Sequence, residues 1–131
     1  MPIQLPPIMP VIVAPTAVSV AAMKGKRRVL ILVGPAFDDP SLRKEQQALD
    51  GWRVQAAVRD VTMVVIVGDH IAGAADDAAA VRRHWNLPSD HFAMILIGKD
   101  GHEAFRTDNP VAAAVLTQTI DAMPMRRAGQ R

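Results

Sequence analysis

The apolar run Phe92-Ala-Met-Ile-Leu-Ile97 ends in a turn, Gly98-Lys-Asp-Gly101, too short for anything but a hairpin. An antiparallel return takes a few residues, whereas a parallel neighbour needs a crossover of roughly a dozen or more. The strand must therefore be followed by an antiparallel one, and Glu103 to Arg106 supplies a short polar candidate. Two earlier runs carry the opposite implication. Val29-Leu-Ile-Leu-Val33 and Val61-Thr-Met-Val-Val-Ile-Val67 are almost purely aliphatic, the mark of strands buried on both faces of a parallel sheet. The chain thus has to build a mixed sheet, parallel in its first half and antiparallel in its second.

The connecting segments read as helices. Asp38-Asp39-Pro40 is a helix start, with Asp39 as N-cap and Pro40 at the first helical position, where its missing N–H costs nothing. That helix is expected to run to about Val58, burying Leu42, Leu49, Trp52 and Ala56, with Gly51 weakening its middle by roughly 1 kcal/mol. After Val67, Gly68-Asp69 closes the second strand and a polar, Gly-rich loop leads to a helix from about Ala75 to Trp85. Asn86 can cap that helix in the left-handed conformation, and Pro88 stops it. Asp108 or Asn109 caps a last helix from Pro110 to Ala122, which Pro124 ends. The order is βαβαββα, that of an α/β thioredoxin-like single domain with a central mixed four-stranded sheet flanked by helices. A doubly wound flavodoxin-like sheet is the alternative, but the Lys99 to Gly101 turn leaves no room for its crossover helix.

Cysteine is absent. This removes disulfides, zinc-thiolate and iron-sulfur sites, thiol nucleophiles and thiol redox chemistry together. The charge is unevenly placed. Residues 1 to 23 carry none, Lys24, Lys26, Arg27 and Arg28 form one basic cluster, and Arg126, Arg127 and Arg131 form another. Residues 29 to 125 hold eight basic against thirteen acidic groups, a net of −5. A nucleic-acid binder presents a basic face through its folded body, so nucleic acid is not an expected partner.

The first 23 residues form a separate segment with five of the ten prolines, which forbid a continuous helix and hence a helical membrane span. Ile8 to Ala14 followed by Ser19-Val20-Ala21 has the form of a short apolar core and a cleavage site, although no basic residue precedes it. A degenerate signal, a tail and an added edge strand are the alternatives, and Met23 is a candidate start. The domain is expected over residues 24–127, with 128–131 as a C-terminal tail.

In a thioredoxin-like fold, chemistry sits where the first βα loop meets the helix N-terminus, here Gly34 to Pro40. Redox members place cysteine there because the helix end stabilises a thiolate. This chain offers Asp38 and Asp39, whose plain reading is capping and whose alternative is a general base in non-redox chemistry. Asp69, His70, Asp76, Asp77, His84 and His91 cluster in the sequence, but no pair has the i, i+4 spacing that puts two ligands on one helical face. Neither a metal nor any other cofactor is expected. Ser41 and Ser89 lack a nucleophile-elbow context. Lys99, Arg106, Arg126 and Arg127 are candidates for an anion-binding edge, against the plain reading of a solvated rim. Trp52 and Trp85 lie on apolar helical stripes and read as core.

Taken together, Arg28-Val-Leu-Ile-Leu-Val-Gly-Pro35, Asp39-Pro-Ser-Leu-Arg43, Leu96-Ile-Gly-Lys-Asp-Gly101 and Ile120-Asp-Ala-Met-Pro-Met-Arg-Arg127 resemble a known family over about residues 27 to 127. It is the thioredoxin-like domain of unknown function of bacterial proteins related to the repeated domain of vertebrate matrix proteins such as equarin, the P-DUDES group. Gly34 departs from the pattern, which more often has an aromatic residue there. The resemblance implies a fold and export to the periplasm or outside, with a cytoplasmic location as the alternative, and no agreed activity. The expected function is a non-catalytic interaction module of the cell envelope with a protein or anionic surface partner. The alternatives are a non-redox enzyme using Asp38 and Asp39, and a polyanion or membrane-surface binder using the basic ends.

Overall fold

The computed structural model describes residues 18–123. The apolar stretch before Val18, and the tail with Pro124, Arg126, Arg127 and Arg131, lie outside the described residues. After a short 3-10 turn at Ala21–Met23 come β1 (Arg28–Gly34), α1 (Pro40–Asp50), α2 (Arg53–Val58), β2 (Val61–Val67) and β3 (His70–Ala72). They are followed by α3 (Ala78–Trp85), β4 (Ala93–Ile97), β5 (Glu103–Thr107) and α4 (Ala113–Asp121).

The strands lie in the order β3-β2-β1-β4-β5. β1 runs parallel to β2, with Arg28 opposite Val61 and Gly34 opposite Val67. It runs antiparallel to β4, with Val29 opposite Ile97 and Val33 opposite Ala93. β5 returns antiparallel on β4 with an irregularity at Leu96/Ile97. This is the mixed sheet the short turn demands.

β1 is central and all seven of its residues are buried. Its side chains alternate between two cores, as strand geometry requires. Val29, Ile31 and Val33 join Val64, Ile66, Ile95 and Ile97 under Ala78 and Val81 of α3. Leu30 and Leu32 face the other side, with Met94 and Leu96, under Leu42 and Leu49 of α1, Trp52, and Leu116 and Ile120 of α4. Each fully buried side chain of this size contributes roughly 1.5–3 kcal/mol, so both faces are needed to hold the sheet. Gly34 permits the close approach of α1: a β-carbon there would stand 2.8 Å from Leu42 Cδ2. An aromatic residue at this position would push α1 away.

The sheet has five strands rather than four. β3 is a three-residue edge strand formed when the chain folds back on Val65–Val67 through Gly68-Asp69. The long helix breaks into α1 and α2 at Gly51, where Trp52 leaves helical geometry and donates its Nε1–H to Thr117 Oγ1 of α4 at 2.8 Å. α3 begins at Ala78, three residues later than expected, because Asp77 is the N-cap, accepting from Ala80 N at 3.1 Å. α4 begins at Ala113 without a side-chain cap rather than at Pro110. Thr107 Oγ1 bonds both the N–H and the carbonyl of Asn109, and Val111 N donates to Glu45 Oε1 at 2.6 Å, so 108–112 is held off the helix. The Asp39 cap with Pro40 behind it and the left-handed cap at Asn86 match the sequence.

Packing also begins upstream of Lys24, where the composition changes. Val20 and Met23 are buried in the α3-side core. Val20 N donates to Asp76 Oδ1 at 2.8 Å, and Ala75 N donates to Val18 O at 3.0 Å.

Candidate functional site

The first βα loop holds Asp38 and Asp39 at the C-terminal end of β1. Asp39 accepts from Leu42 N at 2.9 Å, as an N-cap does. Asp38 is exposed. Phe37 beside them is 66% exposed and touches the His70 ring, with centroids 5.6 Å apart.

Lys99 lies at the other end of the sheet. Because Ile97 pairs with Val29, the β4–β5 turn sits beside the N-terminal end of β1. Seven strand residues, about 20 Å, separate it from Asp38 and Asp39, so loop and hairpin turn do not face one another across a cleft. Lys99 is 8% exposed, with its Nζ 2.9 Å from Asp60 Oδ2. Arg106 holds Glu103 with two hydrogen bonds of 3.0 and 2.7 Å and donates to the carbonyls of Trp85 and Asn86 at the end of α3. The hydrogen bond from Arg106 lowers the Glu103 pKa, with its charge adding to the effect and partial burial opposing it. Lys99 is fastened internally, whereas Arg106 is exposed and engaged by Glu103 and two carbonyls. Arg126 and Arg127 lie outside the described residues.

The Lys24–Arg28 cluster divides in the same way. Arg28 is 1% exposed and donates to Arg59 O at 2.7 Å. Arg27 donates to Thr62 Oγ1 and Val61 O and stands 3.8 Å from Asp60. Only Lys24 and Lys26 of the four are exposed. Of the residues weighed as metal ligands, Asp76 and Asp77 each accept a backbone N–H with one oxygen, His91 bonds Asp90, and among the described residues no group of three candidate ligands comes together.

A concavity of about 380 Å³ lies where the 3-10 turn, the start of β1, the end of β4 and α3 meet. Val20, Val29, Val81, Trp85 and Ile97 make its walls, and Lys24, Arg27, Asp76 and His84 supply its polar groups.

Residues 19–129 match the family described as domain of unknown function (DUF4174). The chain belongs to the DUF4174 family. Its fold is similar to that of the reduced 2-Cys peroxiredoxin of Plasmodium vivax, at 16% identity and a TM-score of 0.64, covering 83% of this chain and 84% of that one. It is also similar to thioredoxin peroxidase I of Plasmodium yoelii, at 17% identity and a TM-score of 0.58 over 83% and 79% of the two chains. Prx1a of Plasmodium yoelii matches at 20% identity and a TM-score of 0.58 over 82% and 79%. At these identities the likeness is one of fold, and it makes this DUF4174 domain thioredoxin-like. The two cysteines in the name of the first neighbour have no counterpart here.

Sequence reasoning about this DUF4174 chain missed two features. One is the cavity, whose walls come from four separate segments. The other is Glu45, wholly buried on α1, with Oε2 lacking a hydrogen-bond partner and Oε1 taking the Val111 N–H. Burial raises its pKa, and the Val111 hydrogen bond offsets this in part. Its only sequence signal is a charge on the apolar stripe of α1, three residues after Leu42 and four before Leu49.

Proposed function

We propose that this DUF4174 domain is a non-catalytic binding module exported to the cell envelope, kin to the bacterial branch of the P-DUDES group. The first βα loop carries the reading. Where redox members of the fold hold a reactive thiolate at the start of α1, this chain has a carboxylate engaged in capping and a second that is exposed. A capping carboxylate also repels the anions such a helix end would otherwise attract. Among the described residues no helix is long and apolar enough to cross a membrane.

A leader cut at or before residue 17 would leave the packing of Val18 and Val20 whole. Cutting after Ala21 would remove Val20, whose side chain is buried and whose N–H bonds Asp76. N-terminal sequencing of the protein recovered from its host tests both points. A mature start upstream of Val18 in the envelope fraction supports the reading, and an uncut chain in the cytoplasm refutes export. Crosslinking in envelope fractions should yield a saturable partner, weakened by Arg126→Ala with Arg127→Ala. Recovery of none across several growth conditions refutes the binding role.

A further inference from the structure

We infer that the concavity between the 3-10 turn and α3 is a binding site for a small monocarboxylate with an apolar body, an aryl or branched-chain acid. The inference deepens the reading of the domain as a binding module and rests on it. Ligand sites are concave, mostly apolar and furnished with a few placed polar groups. This cavity, about 380 Å³, stands at the lower end of their size range and so suits a compact ligand. Val20, Val29, Val81, Trp85 and Ile97 offer the apolar surface.

The four polar groups at the cavity are not equivalent. Asp76 is engaged by Val20 N, and Arg27 by Thr62, Val61 O and Asp60. Lys24 and His84 have no hydrogen-bond or ion-pair partner for their side chains among the described residues, and Asp76 is the only acidic residue lining the space. A carboxylate brought to this wall meets a lysine with no ion-pair partner among the described residues.

Lys24 also touches the hairpin turn. Its stem lies along Gly101, so close that a β-carbon on that residue would stand 3.0 Å from Lys24 Cδ and 3.2 Å from Cγ and Cε. Gly101 has φ +84°, which disfavours any side chain there on backbone grounds as well. Lys24 lines the cavity, and a lysine with its stem laid on the protein keeps its charged head in water. The His84 ring is fixed edge-on against Trp85, with centroids 4.9 Å apart. One ammonium without an ion-pair partner among the described residues, over mostly apolar walls, matches a monocarboxylate better than a polyanion, which calls for several cations.

The test is a titration of the full chain with phenylacetate, with phenylacetamide as its uncharged counterpart, followed by backbone amide shifts and tryptophan fluorescence. Phenylacetate should saturate, with shifts centred on Val81, Trp85, Ile97 and Gly98. Phenylacetamide and the Lys24→Met variant should each bind about tenfold more weakly, the worth of one charge-assisted hydrogen bond. Ala80→Leu, which fills the space, should abolish binding of both compounds with the amide spectrum otherwise intact. Equal affinity for acid and amide, no saturation by a folded chain, or competition by inorganic phosphate would overturn the assignment. If phenylacetate fails while an envelope partner is still captured, this inference falls and the binding-module reading stands. If both fail, both fall.

Discussion

Replacing Lys99 by Met keeps the side-chain stem and removes the ammonium that faces Asp60. The pair stands at 2.9 Å with side-chain exposures of 7% and 17%, joining the β4–β5 turn to the turn that enters β2. At an effective dielectric of about 20 the attraction is about 6 kcal/mol before desolvation, which takes back most of it. Removing one partner leaves Asp60 largely buried, with Arg27 at 3.8 Å as a weaker second cation. The expected loss for Lys99→Met is about 2 kcal/mol, less than the cost for a wholly isolated buried charge. Asp60 has φ +56°, a conformation Asn tolerates, so Asp60→Asn removes the charge without adding backbone strain. Urea unfolding of wild type, both single variants and the double variant closes a cycle, with a coupling of about 1–2 kcal/mol expected at unchanged m-value. Additive singles, or a Lys99→Met loss below about 0.5 kcal/mol, would refute a structural role for the pair. Lys99 would then return as a free cation at the hairpin.

Glu45→Gln keeps an acceptor for Val111 N–H and cannot ionise. The folded pKa of Glu45 is raised above 4.5, so its contribution to stability is full below pH 4.5 and is lost as pH climbs through the folded value. The variant should lack that loss, gaining on the order of 1 kcal/mol on wild type between pH 5 and 8, read as urea midpoints; an unchanged pH slope would refute this. Arg106→Ala should cost about 1 kcal/mol at pH 7, since its contacts are partly exposed. That cost should shrink in acid as Glu103 protonates through its depressed folded pKa, and thermal melts at pH 7 and pH 3 check it. A chain begun at Met23 lacks the buried Val20 and its bond to Asp76. It should be less stable than one begun at Val18 by about 2 kcal/mol in calorimetry, and equal stability would show that the 3-10 turn contributes nothing.

Apolar runs, caps and the single tight turn were legible because each is a local property. Val29 to Val33 announces a doubly buried strand, Asp39-Pro40 a helix start and Asn86 a helix end, without reference to any distant residue. β3 was legible in principle from Gly68-Asp69 between Val67 and His70-Ile71, a two-residue hairpin signal, but a three-residue strand with its two end residues exposed makes no hydrophobic pattern. The start of α4 was not legible. Asp108, Asn109 and Pro110 form a good local cap, overridden by a carboxylate 66 residues away that takes the Val111 N–H. The same limit explains Lys99: a lysine in a polar turn reads as solvated, and only the fold brings Asp60 to it across 39 residues.

These long-range polar contacts are unevenly distributed. Lys99 with Asp60, Arg28 with Arg59 O and Arg59 with Asp121 all gather at the N-terminal end of β1, tying the β4–β5 turn, α2 and α4 together. The Arg59 guanidinium meets both oxygens of Asp121 at 3.0 Å, a bidentate geometry that resists rotation. The cavity lies at this same end, bordered by Arg27, Gly98 and Gly101. At the opposite end, where the fold conventionally does its chemistry, Asp38 and Phe37 are exposed, and Glu45 to Val111 is the corresponding long-range tie. A site whose walls are already fixed loses less entropy on binding. The internal fastening of Lys99, Arg28 and Arg59, which engages them within the fold, therefore prepares the neighbouring wall on which Lys24 has no ion-pair partner among the described residues.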